Sequence, residues 1–222
     1  MSISAQPSTR GRPRTITHER ITNAGIEIGL SNITFVGVAA ALGVSHMALY
    51  KHVPSLEVLK YLVAEEIFKR WQIPVPEAKT ADAAALAGLK EYLLDFTASL
   101  RELVKNNPGL TPYLLRRVAS TQSMINKIRQ HHQEVSERYQ LPIDQARWIS
   151  ATIAFHCIAV ADTVYSVAGR DPISEVDRAA EEAEMESEFA QSMQALIVGA
   201  LTLLESNQID TRFHTAQQQA SP

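Results

Sequence analysis

Apolar residues recur at intervals of three and four along nearly the whole chain, which is the pattern of amphipathic α-helices. No run shows the strict alternation of apolar and polar positions that predicts a β-strand. The pattern therefore predicts an all-α fold. Helices are expected over residues 17–28, 35–42, 45–52, 56–71, 80–106, 111–119, 121–139, 143–168 and 174–206, and the last range is either one helix or two helices with a bend near Ser187.

Proline residues divide this series of helices into two parts. Pro74 and Pro76 end the fourth helix, because proline lacks the backbone N–H and cannot continue a helix. We expect a small three-helix domain that contains a helix-turn-helix, followed by a larger helical bundle. The predicted segments are a disordered basic arm over 1–15, the first domain over 16–72, the second over 73–210 and a flexible tail over 211–222.

The charge along the chain is uneven. Residues 1–60 contain six Lys or Arg against three Asp or Glu, and residues 61–222 contain 15 against 21. The first segment therefore carries a net charge of +3 and the rest −6, although the whole 222-residue chain carries only −3. A basic segment joined to an acidic one predicts that one end of the protein meets a polyanion.

Cysteine usage and the apolar segments exclude several classes of protein. The single Cys157 allows neither an internal disulfide nor a cysteine zinc cluster, which favours the cytoplasm. No apolar segment follows Arg10, so the N-terminus does not have the pattern of a secretory signal. The stretch from Trp148 to Tyr165 is the most apolar, but it holds His156 and Asp162, and we expect a buried helix with no membrane contact.

The most informative stretch runs from Thr34 to Val53 and has the pattern of two helices joined by a tight turn. Gly43 can take the left-handed conformation that ends the first helix, and Ser45 can cap the second through its hydroxyl group. Ala39 carries only a methyl group, so the two helices can cross closely. This arrangement predicts a helix-turn-helix, in which the second helix enters the major groove of DNA.

The side chains on the second of these helices divide between core and surface. Leu49 and Val53 are expected to point into the core, which leaves the polar side chains outward and close to phosphates or bases. Met47 and Ala48 can offer a base only van der Waals contact, for instance to a thymine methyl group. The predicted DNA-contacting residues are Thr34, Ser45, His46, Met47, Ala48, Tyr50, Lys51 and His52.

Two arginines in the N-terminal arm are further candidates for DNA contact. Arg12 and Arg14 flank Pro13 in a short extended tract, which is able to enter an A·T-rich minor groove. The alternative is a solvated tail, and the sequence favours neither.

The stretch from Ala39 to Ser45, the block from Leu49 to Val53 and the amphipathic helix after it resemble the DNA-binding domain of the TetR (tetracycline-repressor-like) family. The resemblance covers roughly residues 15–70. It implies a homodimer that binds double-stranded operator DNA with its two recognition helices about 34–36 Å apart. It further implies a C-terminal domain that dimerises and binds a small effector, which releases the protein from its operator.

The C-terminal half offers candidates for both implied activities. The apolar helix from Trp148 to Tyr165, together with the last helix, suits a four-helix dimer interface. The last helix has an apolar stripe formed by Phe189, Met193, Leu196, Ile197, Ala200, Leu201 and Leu204. The candidate effector-binding residues are Trp71, Tyr92, Phe96, Tyr113, Phe155, His156 and Tyr165, although aromatic residues at helical spacing are also typical of a plain core.

Two other classes of function compete with an effector-released repressor. The same first 70 residues would serve a ligand-independent or architectural DNA-binding protein. A helical-bundle enzyme of the di-iron type needs inward Glu-x-x-His pairs, and no Glu in the chain is followed three residues later by His. His131 and His132 are adjacent and point in different directions on a helix, so no shared metal is expected. The sequence predicts neither catalytic residues nor a cofactor.

Overall fold

The computed structural model describes residues 16–76, 83–165 and 178–209, and the regular elements in these ranges are all helical. The all-α prediction is therefore confirmed. Arg12, Arg14, the N-terminal arm and the C-terminal tail lie outside the described residues. The helices are α1 (His18–Ile28), α2 (Phe35–Leu42), α3 (His46–Tyr50), α4 (Leu56–Arg70), α5 (Ala83–Asn106), α6 (Thr111–Leu115), α7 (Gln122–Tyr139), α8 (Ile143–Tyr165) and α9 (Arg178–Glu205).

Two of these helices differ from the prediction, and a third decides between the two alternatives left open. Helix α3 ends at Tyr50, two residues earlier than predicted, and Lys51 follows as its C-cap. Helix α6 ends at Leu115, and a separate 3-10 turn follows over Arg117–Ala119. Helix α9 continues through Ser187 without interruption, so the alternative of two helices with a bend there is wrong.

The first four helices form one packed unit, which we call the head. Helix α1 lies between α2 and α4, and Ile21, Val38, Leu49 and Leu59 are completely buried in the shared core. Helix α1 is able to approach α4 closely because Gly25 faces Val63, where a Cβ atom would overlap the valine side chain. Tight packing of α1 on α4 thereby holds α2 and α3 at one end of the molecule.

Helices α5 to α9 form a second unit, which we call the body. Helices α5 and α8 pack against each other at its centre, with α7 and α9 packed beside them. Five of the stripe residues that we expected in a dimer interface instead fill the core of one subunit. Phe189, Met193, Ile197, Ala200 and Leu204 are buried, since α9 turns this stripe toward α5 and α8.

Helix α8 is the one helix in the described ranges whose length and composition would allow it to cross a membrane. Core helices satisfy the same criterion, and this one packs against α5, α7 and α9. Its apolar character is therefore weak evidence for a membrane span.

Candidate nucleic-acid interface and buried polar cluster

The turn between α2 and α3 is fixed by hydrogen bonds between neighbouring residues. Gly43 has φ 67° and ψ 36°, the left-handed conformation that glycine adopts at low cost. Its N–H donates to the carbonyl of Ala40, and the N–H of Val44 donates to that of Ala39, both at 3.0 Å. These bonds satisfy two of the last four carbonyls of α2, and the chain then turns directly into α3.

Hydroxyl side chains cap both helices of the motif. The Thr34 Oγ1 atom accepts a hydrogen bond from the N–H of Gly37 at 3.0 Å, and the Ser45 Oγ atom accepts one from the N–H of Ala48 at 3.2 Å. Both caps satisfy backbone donors that a helix start leaves free. Thr34 and Ser45 are both exposed to solvent.

Helix α3 presents one side to the core and the other to solvent. Leu49 and Val53 are completely buried, as the sequence predicted. Ala48 is half-buried against the head, which leaves it the least accessible of the candidate base-contacting residues. The remaining candidates in this segment are exposed: His46, Met47, Tyr50, Lys51 and His52.

An aromatic stack that the sequence reasoning missed joins the two helices. The rings of Phe35 on α2 and Tyr50 on α3 lie 4.1 Å apart, centroid to centroid, with an angle of 15° between their planes. Stacked aromatic pairs stabilise a structure beyond the burial of their surface. Phe35 therefore fixes the direction of the exposed Tyr50 ring, and the aromatic residue at the start of α2 was the available signal.

Three of the seven predicted effector-binding residues come together at the boundary between head and body. The Trp71 ring lies 6.3 Å from that of Phe96, and Phe96 stacks with Tyr92 at 6.1 Å. The Trp71 indole N–H also donates to the Ser99 Oγ atom at 2.8 Å. These rings pack directly against one another.

The centre of this cluster is His131, which the sequence reasoning considered only as a metal ligand. Its side chain is 5% exposed, its ring stacks on Phe96 at 4.9 Å, and its Nδ1 atom lies 3.3 Å from the Tyr92 hydroxyl. Burial lowers the pKa of His131 to about 4, with a smaller contribution from His132. Burial likewise raises the pKa of Tyr92, so this pair is neutral at physiological pH.

The other four predicted effector-binding residues do not join this cluster. Tyr113 packs edge-on against Tyr61 of α4, with ring centroids 5.2 Å apart. Tyr165 donates a hydrogen bond at 2.6 Å to Glu186 of α9. Phe155 and His156 are exposed, because α8 turns the opposite face toward α5. The buried histidine that needs a partner is thus not His156.

Lys127 on α7 ties the body to the end of α4. Its Nζ atom donates to the carbonyl oxygens of Phe68 and Lys69 at 2.9 and 3.0 Å, and also to that of Trp71. The same ammonium lies 5.3 Å from the Phe68 ring centroid, a cation–π contact. Carbonyls at a helix C-terminus carry partial negative charge, so this lysine acts as a C-terminal cap supplied by another helix.

Comparison with known proteins identifies the fold that head and body form together. No family model matches the chain, and no curated protein matches its sequence. Ligand-free ActR from Streptomyces coelicolor matches 85% of this chain and 98% of its own, with 17% identity and a TM-score of 0.60. The chain has the TetR fold. A variant of TetR from Acinetobacter baumannii AYE, solved with minocycline, matches 86% of this chain and 98% of its own, with 16% identity and a TM-score of 0.60.

A third solved structure with the TetR fold carries a different small molecule. It is the Streptomyces coelicolor TetR family protein ActR in complex with actinorhodin, which is 18% identical. The match covers 85% of this chain and 98% of that one, with a TM-score of 0.58. Head and body together therefore have the architecture of these proteins.

Proposed function

We propose that this protein is a sequence-specific, DNA-binding transcriptional regulator of the TetR family and no enzyme. The observation that carries the proposal is the capped, glycine-closed turn that presents α3 with Tyr50, Lys51 and His52 exposed. This is the geometry with which helix-turn-helix proteins enter the major groove. The buried, unpaired Cys157 fits a regulator that works in the reducing cytoplasm.

A homodimer would bring two copies of α3 to successive major grooves, about 34–36 Å apart. The buried stripe of α9 is used within the subunit, so the surface available for a second copy is the opposite face of α8 and α9. Phe155 on α8 is 61% exposed and Val198 on α9 is 44% exposed. Exposed apolar side chains on two neighbouring helices support a four-helix contact between subunits.

Release by a small effector is the second part of the proposal. Trp71 directly follows α4, and its neighbour Phe96, on which His131 stacks, belongs to the body. A ligand that enters between these rings would displace the end of α4 and with it the head. A ligand that binds more tightly when the head is displaced would then shift the equilibrium toward the displaced arrangement. The ligands bound to the TetR variant and to ActR support this kind of control by analogy.

One observation favours a ligand-independent DNA-binding protein as the alternative. The rings of Tyr92, Phe96 and His131 are buried. Phe96 lies directly against both of the other rings. The space beside Trp71 is an open cleft of about 350 Å³ between α1, α4 and α5, bordered by Ile26 and Leu103. An effector would have to part rings that are already packed.

The experiment that tests both parts is a selection of duplexes from random sequence with the purified protein, followed by a ligand screen. We expect a two-fold symmetric site bound by a dimer, and a compound that both raises the melting temperature and dissociates the complex. Selected DNA that no compound releases would favour the alternative. Failure to select any sequence would contradict the proposal as a whole.

A further inference from the structure

Helix α2 has no side chain that can form a hydrogen bond. Its sequence is Phe-Val-Gly-Val-Ala-Ala-Ala-Leu, and its outward residues are Val36, Ala40 and Ala41. Side chains that read base edges by hydrogen bonding are mainly Arg, Lys, Asn and Gln. Any contact that α2 makes to a base is therefore apolar.

Two large apolar side chains of the head remain open to solvent. Val36 is 71% exposed and Met47 is 63% exposed, more than any other large apolar residue in the four helices of the head. The other exposed side chains of the motif include Lys51 and two histidines. Exposed apolar side chains in a motif that also exposes a lysine are complementary to a partner in which apolar groups lie among phosphates.

The aromatic stack joins the start of α2 to the end of α3, and these are the two helices that carry Val36 and Met47. Val36 directly follows Phe35, whose ring lies on that of Tyr50. Met47 is three residues before Tyr50, so both occupy one face of α3. Val36 and Met47 are thus the exposed apolar residues of the two helices that the stack holds together.

We propose that Val36 and Met47 determine specificity by contacting thymine 5-methyl groups in the major groove. This inference rests on the proposed function, because it concerns the DNA-facing side of the same motif. The thymine methyl is the apolar feature that distinguishes base pairs in the major groove. Lys51, which is exposed directly after α3, attracts the phosphates that surround such methyl groups.

The test replaces thymine by uracil, one position at a time, in a duplex selected by the full-length protein. Deoxyuridine lacks only the 5-methyl group, so pairing and phosphate contacts are kept. Burial of one methyl group contributes about 0.8 kcal/mol, and we therefore expect about four-fold weaker binding at each contacted thymine. At other thymines the affinity is expected to stay unchanged.

Protein variants identify which side chain meets which thymine. Met47→Ala is expected to lose sensitivity to uracil at one position in each half-site, and Val36→Ala at another. Both side chains are exposed, so neither substitution disturbs the core. Val118→Ala, which shortens an exposed valine of the body, is the matched control and keeps the full response.

The outcomes separate this inference from the proposed function. Equal affinity of the wild type for thymine and uracil duplexes overturns the methyl contact, while sequence-specific DNA binding stands. Uracil sensitivity that persists in both Val36→Ala and Met47→Ala also overturns it. A wild-type protein that selects no duplex overturns the proposed function and the inference together.

Discussion

The head and the body of this protein differ in where their polar side chains lie. In the head, the polar residues of the helix-turn-helix lie at the surface, and residues a few positions apart in sequence hold the backbone in place. In the body, Tyr92, His131 and Cys157 are buried among apolar side chains from several helices. The exposed polar surface of the head, which local capping holds in place, suits a large, charged partner. The buried polar cluster makes the stability of the body depend on protonation and packing.

The largest effect that we expect from this difference is a pH dependence of stability that originates in the body. In the folded protein the pKa of His131 is lowered to about 4 from the ordinary 6.5. Below pH 6.5 the unfolded chain gains a proton that the folded chain does not, so stability falls as the pH drops toward 4. The loss amounts to about 1.4 kcal/mol per pH unit within this window.

His131→Phe removes the titrating group and keeps an aromatic ring beside Phe96. Between pH 7 and pH 4.5 we expect the variant to lose about 2 kcal/mol less of its free energy of unfolding than the wild type. Urea denaturation at several pH values measures this change as a slope, so a uniform loss of stability in the variant does not affect the result. An unchanged slope would show that His131 is not buried in its neutral form.

A smaller effect is expected where the two regions meet. Lys127→Met keeps the apolar stem and removes the ammonium that caps the end of α4. Hydrogen bonds to charged groups contribute about 1.5–3 kcal/mol, and we expect a loss near the lower end, with faster hydrogen exchange in the last turn of α4. Chemical denaturation and exchange measured by mass spectrometry check the two parts of this prediction.

Lys69→Met is the matched control, since it removes an equal charge at the same end of α4. The Lys69 side chain is 70% exposed and its Glu66 partner is 3.8 Å away. Surface substitutions of this kind change stability by about 0.5 kcal/mol or less. Equal effects of the two substitutions would refute the cap.

The contrast between head and body also explains how much the sequence could predict. The turn at Gly43 and the outward direction of Tyr50 and Lys51 follow from capping and spacing within some 20 residues, and the structure agrees with both. The helices of the body were predicted nearly as well, because apolar spacing repeats along each of them. The contacts between helices, which decide which side chains are buried, were predicted less well.

The errors in the body have identifiable causes. Helix α8 is apolar on nearly every side, so its spacing did not indicate that Phe155 and His156 face away from α5. The apolar stripe of α9 was correct, but spacing alone does not distinguish a partner in the same subunit from one in another. His131 had a signal that was overlooked, since it occupies the buried stripe of α7 with Met124, Val135 and Tyr139.

The measurement that tests the central claim most directly is the salt dependence of DNA binding by the wild type and Lys51→Ala. The logarithm of the binding constant falls by about 0.9 per phosphate contact for each logarithmic unit of salt. We expect weaker binding by the variant and a slope reduced by about 1.8, one contact from each subunit of the dimer. Lys105→Ala, a body variant, is expected to keep the wild-type slope. Identical slopes for the wild type and Lys51→Ala would contradict the assignment of α3 as the DNA-reading helix.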